Sequence, residues 1–489
     1  MKKMKFYKIL FLALSSISFF SCKKVIEVKE TDFIGGDVAL KTVANNEAEI
    51  IGAYVPLSPE MDILFNAVMS DEIKKAEFYN AATVHEWQFS TQDITIRDQF
   101  TAINLFYKTI DRANRALKAL PTADSTRAGD NTLRSRLKGE GLFLRAFAHF
   151  EVLRFYSGNY DANALAMPYM TESTLDPQQR LAMQPFFEKL KADLAEAKTL
   201  LPANLSDIYR ANGYAVSGLQ ARIALYMKDW ASAITFSTEY INALPLATKA
   251  NFPGIWTDAN SSELAFKLKR TTSSSGPIAV TSSGGLTTTR MGSLFRGTST
   301  ATAVGTVTWA PSDKLWNSYD KVNDIRFSSY FKDEPLLSAA GRPSHLIAKY
   351  AGGAYGASNE NVADAKIFRT GEMYLIRAEA KARSNDLAGA ANDVNALRTA
   401  RITGYTNVSF ASLNEAIAAI ADERFKELAF EGHRLWDLRR YDMPVTRLAS
   451  DAPTTSAVSL SAGNFRFLLP IPFSEIQANP TIQQNPGYQ

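Results

Sequence analysis

Apolar residues recur at helical spacing over most of the chain. Phe100, Ile103, Tyr107, Ile110, Asn114 and Leu117 follow one another in steps of three and four, the period of one helix face, and Pro121 closes the stripe. The run FLRAFAHFEVLRFY predicts a second helix over about 133–157. A third is predicted from Pro185, a favourable first-turn residue, to Pro202. Val216, Leu219, Ile223 and Tyr226 mark a fourth, and residues 231–243 a fifth. Further helices are predicted over about 368–384, 387–401 and 413–431. Helical patterning begins at Asn45, whereas residues 23–44 have mixed charge and no helical period.

Two stretches align without gaps. ARIALYMKDWASA (221–233) and AEAKARSNDLAGA (378–390) share Ala221/Ala378, Asp229/Asp386, Ala231/Ala388 and Ala233/Ala390. Small residues twelve apart, on two helices joined by a short polar turn, let helix backbones approach closely, which is the packing logic of tetratricopeptide (TPR) repeats. Between these copies the chemistry changes. From Thr271 to Thr308, 24 of 38 residues are Ser, Thr or Gly, and the charges are Arg290 and Arg296. Such a stretch cannot bury a core, so it is expected to be loop or edge strand lying on the helical body, or else a disordered surface insertion. The fold class predicted is mostly α: a helical-repeat scaffold with an inserted region of loops and short strands.

Composition adds a leader. The net charge of +4 is accounted for by Lys2, Lys3, Lys5 and Lys8, so the remainder of the chain is neutral and no nucleic-acid-binding face is expected. The apolar run Ile9–Phe20 is shorter than the ~20 residues of a membrane-spanning helix and reads as the core of a secretory signal, residues 1–21. It ends at Cys22, the sole cysteine, which has no partner for an internal disulfide. Its place directly after the signal reads as a lipidation site, a free or buried thiol being the alternative. Residues 22–44 are then the lipidated cysteine and a tether, and residues 45–489 a single domain divided at about 250 and 368 (45–250, 251–367, 368–489).

Catalytic patterns are missing from the sequence: it holds no GxSxG, GxxxxGK[ST], HExxH or CxxC. His85, His149, His345 and His433 are scattered, and His149 sits among apolar residues as a hydrogen-bonded core histidine would. No metal or cofactor is expected. Glu423, Glu427 and Glu431 fall at i, i+4 and i+8 with Arg424, Arg434, Arg439 and Arg440 in the same segment. Two carboxylates at that spacing suit a glycosidase, but arginines lower carboxyl pKa values where a general acid needs a raised one. A structural ion-pair network is the favoured reading.

Four segments carry a family resemblance. ERFKELAFEGHRLWDLRRY (423–441), FRTGEMYLIRAEAKAR (368–383), FLRAFAHFEVLRFYSG (143–158) and FLLPIPFSEIQANPTIQQNPGY (467–488) resemble blocks of the SusD/RagB family of outer-membrane nutrient-binding lipoproteins. SDE at 70–72, YKTIDRAN at 107–114 and LWNSYDKVNDIRF at 315–327 are similar to further ones. The resemblance implies four TPR-like helix pairs, a lipid tether to the outer membrane facing outward, and a partner SusC-like TonB-dependent transporter. It implies capture of an oligo- or polysaccharide, or a peptide in some relatives.

Sugars stack their C–H faces on exposed rings, which directs attention to the loops. Candidate ligand residues are Phe78, Tyr79 and Trp87 in 73–90, Arg290, Arg296 and Trp309 in and beyond the Ser/Thr/Gly stretch, and Tyr355 beside glycines. Trp316 and Trp436 are expected in the core, Trp230 at a repeat turn, and Trp256 stays open. A protein-binding TPR scaffold without a sugar ligand and, more distantly, a glycoside hydrolase are the rival functions. Cys22→Ser is expected to release the protein from the membrane fraction, read by cell fractionation and immunoblot; an unchanged distribution would remove the lipid anchor.

Overall fold

The computed structural model describes residues 36–280 and 285–488. The signal 1–21, Cys22 and the tether as far as residue 35 lie outside the described residues. Helices of seven residues or more are labelled α1 (Val43–Tyr54), α2 (Pro59–Met69), α3 (Ala102–Ala119), α4 (Asp130–Tyr156), α5 (Met183–Leu200), α6 (Gly213–Met227), α7 (Trp230–Ala243), α8 (Thr370–Arg383), α9 (Leu387–Arg401), α10 (Leu413–Glu427) and α11 (Arg434–Arg440). The strands that matter here are β1 (Ile73–Lys75), β2 (Leu264–Leu268), β3 (Gly276–Val280), β4 (Leu286–Thr289), β5 (Trp309–Pro311), β6 (Phe331–Asp333), β7 (His345–Ile347) and β8 (Ala365–Arg369). Each is short and pairs antiparallel in a two-stranded ribbon: β1 with β5, β2 with β8, β3 with β4, and β6 with β7.

The body is a chain of helix pairs, each packed on the next: α1 and α4 on α3, α5 on α4, α7 on α6, and α9 and α10 on α8. The two similar sequence stretches are the α6–α7 and α8–α9 hairpins. Their shared residues have local causes. Asp229 and Asp386 cap the second helices, accepting from Ser232 N–H (3.2 Å) and Gly389 N–H (2.8 Å). Lys228 and Asn385 turn the chain at positive φ (59° and 65°). Ala221, Ala233, Ala378 and Ala390 are all fully buried where the helices meet, so a larger side chain would hold the pairs apart. α7 then packs on α8, which joins the two copies across an intervening stretch of sequence.

The ordered body starts before residue 45. Thr42 caps α1 by accepting from Asn45 N–H (3.1 Å), and Val43 N–H donates to Asp124 C=O (3.1 Å) and is fully buried. A short cap and a few small residues left no period to detect there. The Ser/Thr/Gly stretch contributes the β3–β4 ribbon, with residues 281–284 outside the described residues. Gly276 in β3 lies so close to α2 that a Cβ would overlap the Glu60 carboxylate, which is held by Arg270 at 2.7 Å. That contact, together with Ile278 and Leu286 packed against the core, fastens the ribbon to the body.

His149 is the core histidine the sequence predicts. Nδ1–H donates to Arg145 C=O (2.8 Å), Nε2 accepts from Met170 N–H (2.9 Å), and the ring stacks on Tyr169 at 3.9 Å. Burial pushes its pKa down to about 3. The unfolded chain therefore binds a proton near pH 6.5 that the native state refuses, so this contribution is complete above that pH and is lost as pH falls toward 3. Between pH 7 and 5 the native protein is expected to lose up to about 2 kcal/mol more stability than His149→Gln, measured as urea midpoints.

Candidate functional site

Three loop segments converge on one face. In the β1–β5 ribbon Lys75 stands opposite Trp309, and the pairing continues as Ala76 and Phe78 N–H donate to Thr308 and Val307 C=O (3.2 and 3.3 Å). Arg296 bridges back to Val307, and Gly297 N–H donates to Thr306 C=O (2.5 Å). β7 packs on β5, bringing the β6–β7 ribbon and the loop after it alongside. A small apolar cluster of Val304, Val307, Leu337 and Leu346, with Ala76 and Tyr355 against it, holds this layer together.

The sequence candidates divide on this face. Phe78 is 58% exposed, and Tyr79 and Tyr355 are half-buried. Tyr355 borders a groove of about 290 Å³ lined by Arg296, Lys332, Leu346, Ala348, Ala351, Gly353 and Ala354. Its hydroxyl donates to Glu334, whose other neighbour is the Lys332 ammonium at 2.7 Å. Burial disfavours the Glu334 charge, but those two partners outweigh it and hold the carboxyl below its usual range. Burial and Glu334 together raise the Tyr355 phenol, which stays neutral.

Trp309 and Trp87 are not the exposed rings the sequence suggests. Trp309 is 0% exposed, wedged between the edges of Tyr79 (5.7 Å) and His85 (4.9 Å). Trp87 is buried, its Nε1–H donating to Met69 C=O (3.0 Å) with the Arg447 guanidinium 4.2 Å from the ring centre. Arg296 is buried against Glu360 (2.7 Å), which also accepts from Ser299 and Gly356 N–H. Half-buried Arg290 donates to Glu360 C=O (3.0 Å). Trp309 and Trp87 build the platform rather than present it, whereas Arg296 also lines the groove beside Tyr355, its guanidinium 5.0 Å from that ring centre. Trp256, Trp316 and Trp436 are buried as well. Sequence reasoning passed over Lys332, Glu334 and the Glu77–Arg342 pair (2.6 Å), which no spacing or motif marks.

The glutamate cluster is a network, with other arginines than the neighbouring ones. α10 ends at Glu427, and the chain turns through Phe430 and Gly432 at positive φ (60° and 78°), so Glu431 lies beyond the helix. Glu427 meets Arg369 (2.9 Å), Arg401 (3.0 Å) and Arg326 (3.2 Å). Glu423 is held by Arg326 (2.5 Å) and Arg398 (2.6 Å), and Glu431 by Arg369 (2.7 Å) and Lys349 (2.8 Å). Glu263 shares Arg369 and Arg401. Arg424 and Arg434 face away on their own turn, toward Asp437 and Asp71 (2.7 Å each), and Arg439 donates to Arg154 C=O and lies 4.8 Å from the Trp436 ring centre. Burial opposes the charge on Glu423, Glu427 and Glu431, yet the cations win: Glu423 falls to about 2, and Glu427 and Glu431 are also lowered. A general acid needs the opposite shift.

The SusD family model matches residues 307–488, and a second model, described as starch-binding and associating with the outer membrane, matches residues 37–225. A SusD-like protein of Formosa agariphila is 24% identical over the full length of both chains. A SusD superfamily crystal structure from Bacteroides thetaiotaomicron superposes with a TM-score of 0.75 at 22% identity, covering 91% of this chain and all of that one. A laminarin-binding SusD-like protein gives 0.70 at 22%, covering 92% and 100%. The chain is a SusD-like family protein. Its mostly helical, TPR-like fold is the one the sequence predicts.

In this SusD-like chain Phe78, Tyr79 and Trp87 fall within the matched stretch 37–225 and Trp309 and Tyr355 within 307–488. Arg290 and Arg296 fall between the two. Arg326 and Arg369 lie in segments the family resemblance already marked, and that was the available signal for the network. Among the described residues no helix is long and apolar enough to cross a membrane. Glu427→Ala leaves three buried guanidinium groups short of an anion and is expected to cost about 3–5 kcal/mol, read by urea unfolding.

Proposed function

We propose that the chain captures a glycan on the face built by residues 75–80, 296–309 and 331–356 and passes it to a SusC-like TonB-dependent transporter. Lipidated Cys22 holds it to the outer membrane, facing outward. The observation that carries the reading is Phe78, a large ring left in solvent at the edge of a layer in which Trp87 and Trp309 are buried. Together with half-buried Tyr79 and the Tyr355 groove it offers an aromatic surface for sugar C–H faces, with Lys332, Glu77 and Arg342 at its edge for hydroxyls. The family's description as starch-binding and the laminarin-binding relative support an oligosaccharide ligand. The glutamates pinned as anions support delivery without bond cleavage.

A glycan array with the purified full chain identifies the ligand, and titration calorimetry measures it. Phe78→Ala is expected to weaken binding by about tenfold and Phe78→Ala with Tyr355→Ala further, while Ile94→Ala, exposed outside this face, leaves it unchanged. Unaltered affinity in the double variant would move the site elsewhere; an array without any saccharide bound would remove the function.

A further inference from the structure

Away from the candidate glycan face, two adjoining cavities of about 480 and 360 Å³ form one groove between α3, the 167–178 loop and the C-terminal helix Phe473–Ala478. Tyr107, Met170, Thr174 and Leu175 line both parts. Hydrogen bonds fix the walls. Tyr107 O–H donates to Pro168 C=O (2.7 Å), Asn114 Nδ2–H to Met170 C=O (3.1 Å), Ser173 O–H to Asp111 (2.5 Å) and Asn479 Nδ2–H to Gln178 C=O (2.6 Å). The groove is therefore preformed, and a ligand need not order it.

Its chemistry is uneven. Met167, Met170, Ile103 and Ile482 make much of the lining apolar, and the C-terminal helix sets Glu475 among them. Among the described residues no cation or side-chain hydrogen bond reaches that carboxylate, and burial alone raises its pKa. Asp176 and Glu172 add negative charge along the loop, while the nearby Arg115 is already paired with Asp111 (2.8 Å). At the rim Leu175 is fully exposed.

We infer that this groove docks a segment of a partner polypeptide presenting a lysine or arginine beside an apolar residue. The cation neutralises Glu475, its aliphatic stem lies along the methionine side chains, and the apolar neighbour covers Leu175. A neutral saccharide supplies no charge for a half-desolvated carboxylate, which sets this groove apart from the glycan face.

The test uses the full chain and three fluorescein-labelled peptides, Gly-Ser-Lys-Leu-Lys-Leu-Ser-Gly and its forms with both Lys changed to Glu or both Leu changed to Ser, followed by anisotropy. The Lys-Leu peptide is expected to bind, to lose about tenfold affinity in Glu475→Gln and severalfold in Leu175→Ser, and to weaken with added NaCl. The Glu and Ser peptides are expected to bind more weakly. Circular dichroism confirms that both variants fold, and their glycan affinity stays as in the native chain, which separates this inference from the proposed glycan function. Equal binding of all three peptides, binding indifferent to Glu475→Gln, or no binding of the Lys-Leu peptide would overturn it.

Discussion

Glu427 is taken out of water at the end of α10, and a carboxylate so placed must be met by cations or lose its charge. Arg326 reaches it from the inserted region, Arg369 from the end of β8, and Arg401 from the end of α9. These three and Glu427 are all fully buried. No two of the arginines belong to the same element, so the site is satisfied only when the insertion, the β2–β8 ribbon and the last helix pair are all in register. Glu263, at the start of the ribbon, closes the circuit by accepting from Arg369 and Arg401. An assembly with one member displaced would leave a buried ion uncompensated, which fixes the register of the insertion on the helical repeats in addition to the apolar contacts of residues such as Phe295, Trp316 and Phe331.

That constraint reaches the surface. Arg326 heads the short helix leading into β6, and Lys349, bound to Glu431, follows β7. The ribbon carrying Lys332 and the loop carrying Tyr355 are thus rooted in the network at both ends. A second buried pair, Arg296 with Glu360, staples the 296–300 turn to the same loop. Buried charge does the anchoring, and the outer layer is free to expose rings such as Phe78 without weakening the core. The helical side has buried ion pairs of its own, such as Arg145–Asp193 (2.6 Å) and Arg222–Glu372 (2.7 Å), beside a large apolar core, and polar side chains bonding loop carbonyls fix the groove at α3.

Helices, their pairing and the repeat relation between 221–233 and 378–390 were legible because each depends on local chemistry. Apolar spacing, aspartate caps and buried small residues act within one hairpin. The core role of His149 was legible for the same reason, since its Nδ1 partner lies one turn back along α4. The likeness of the glutamate block, the C-terminal tail and the helix blocks to a known family was equally present in the order of residues.

What the linear order could not fix was the partner of each charge and the outlook of each ring. Arg424 and Arg434 adjoin the glutamates in sequence, yet Arg424, within α10, pairs with Asp437, and Arg434, beyond the turn at Phe430–Gly432, pairs with Asp71. Trp309 and Phe78 are both aromatic loop residues, but one is sealed by Tyr79 and His85 and the other left in water. Sequence determined most of the long helices, which residues are small enough to pack and which family the segments belong to, because those properties are set by neighbours along the chain, but it left Pro59–Met69 and Arg434–Arg440 unmarked. Tertiary structure alone decided which side chains are buried, paired or available to a ligand, because those depend on residues brought close from hundreds of positions away.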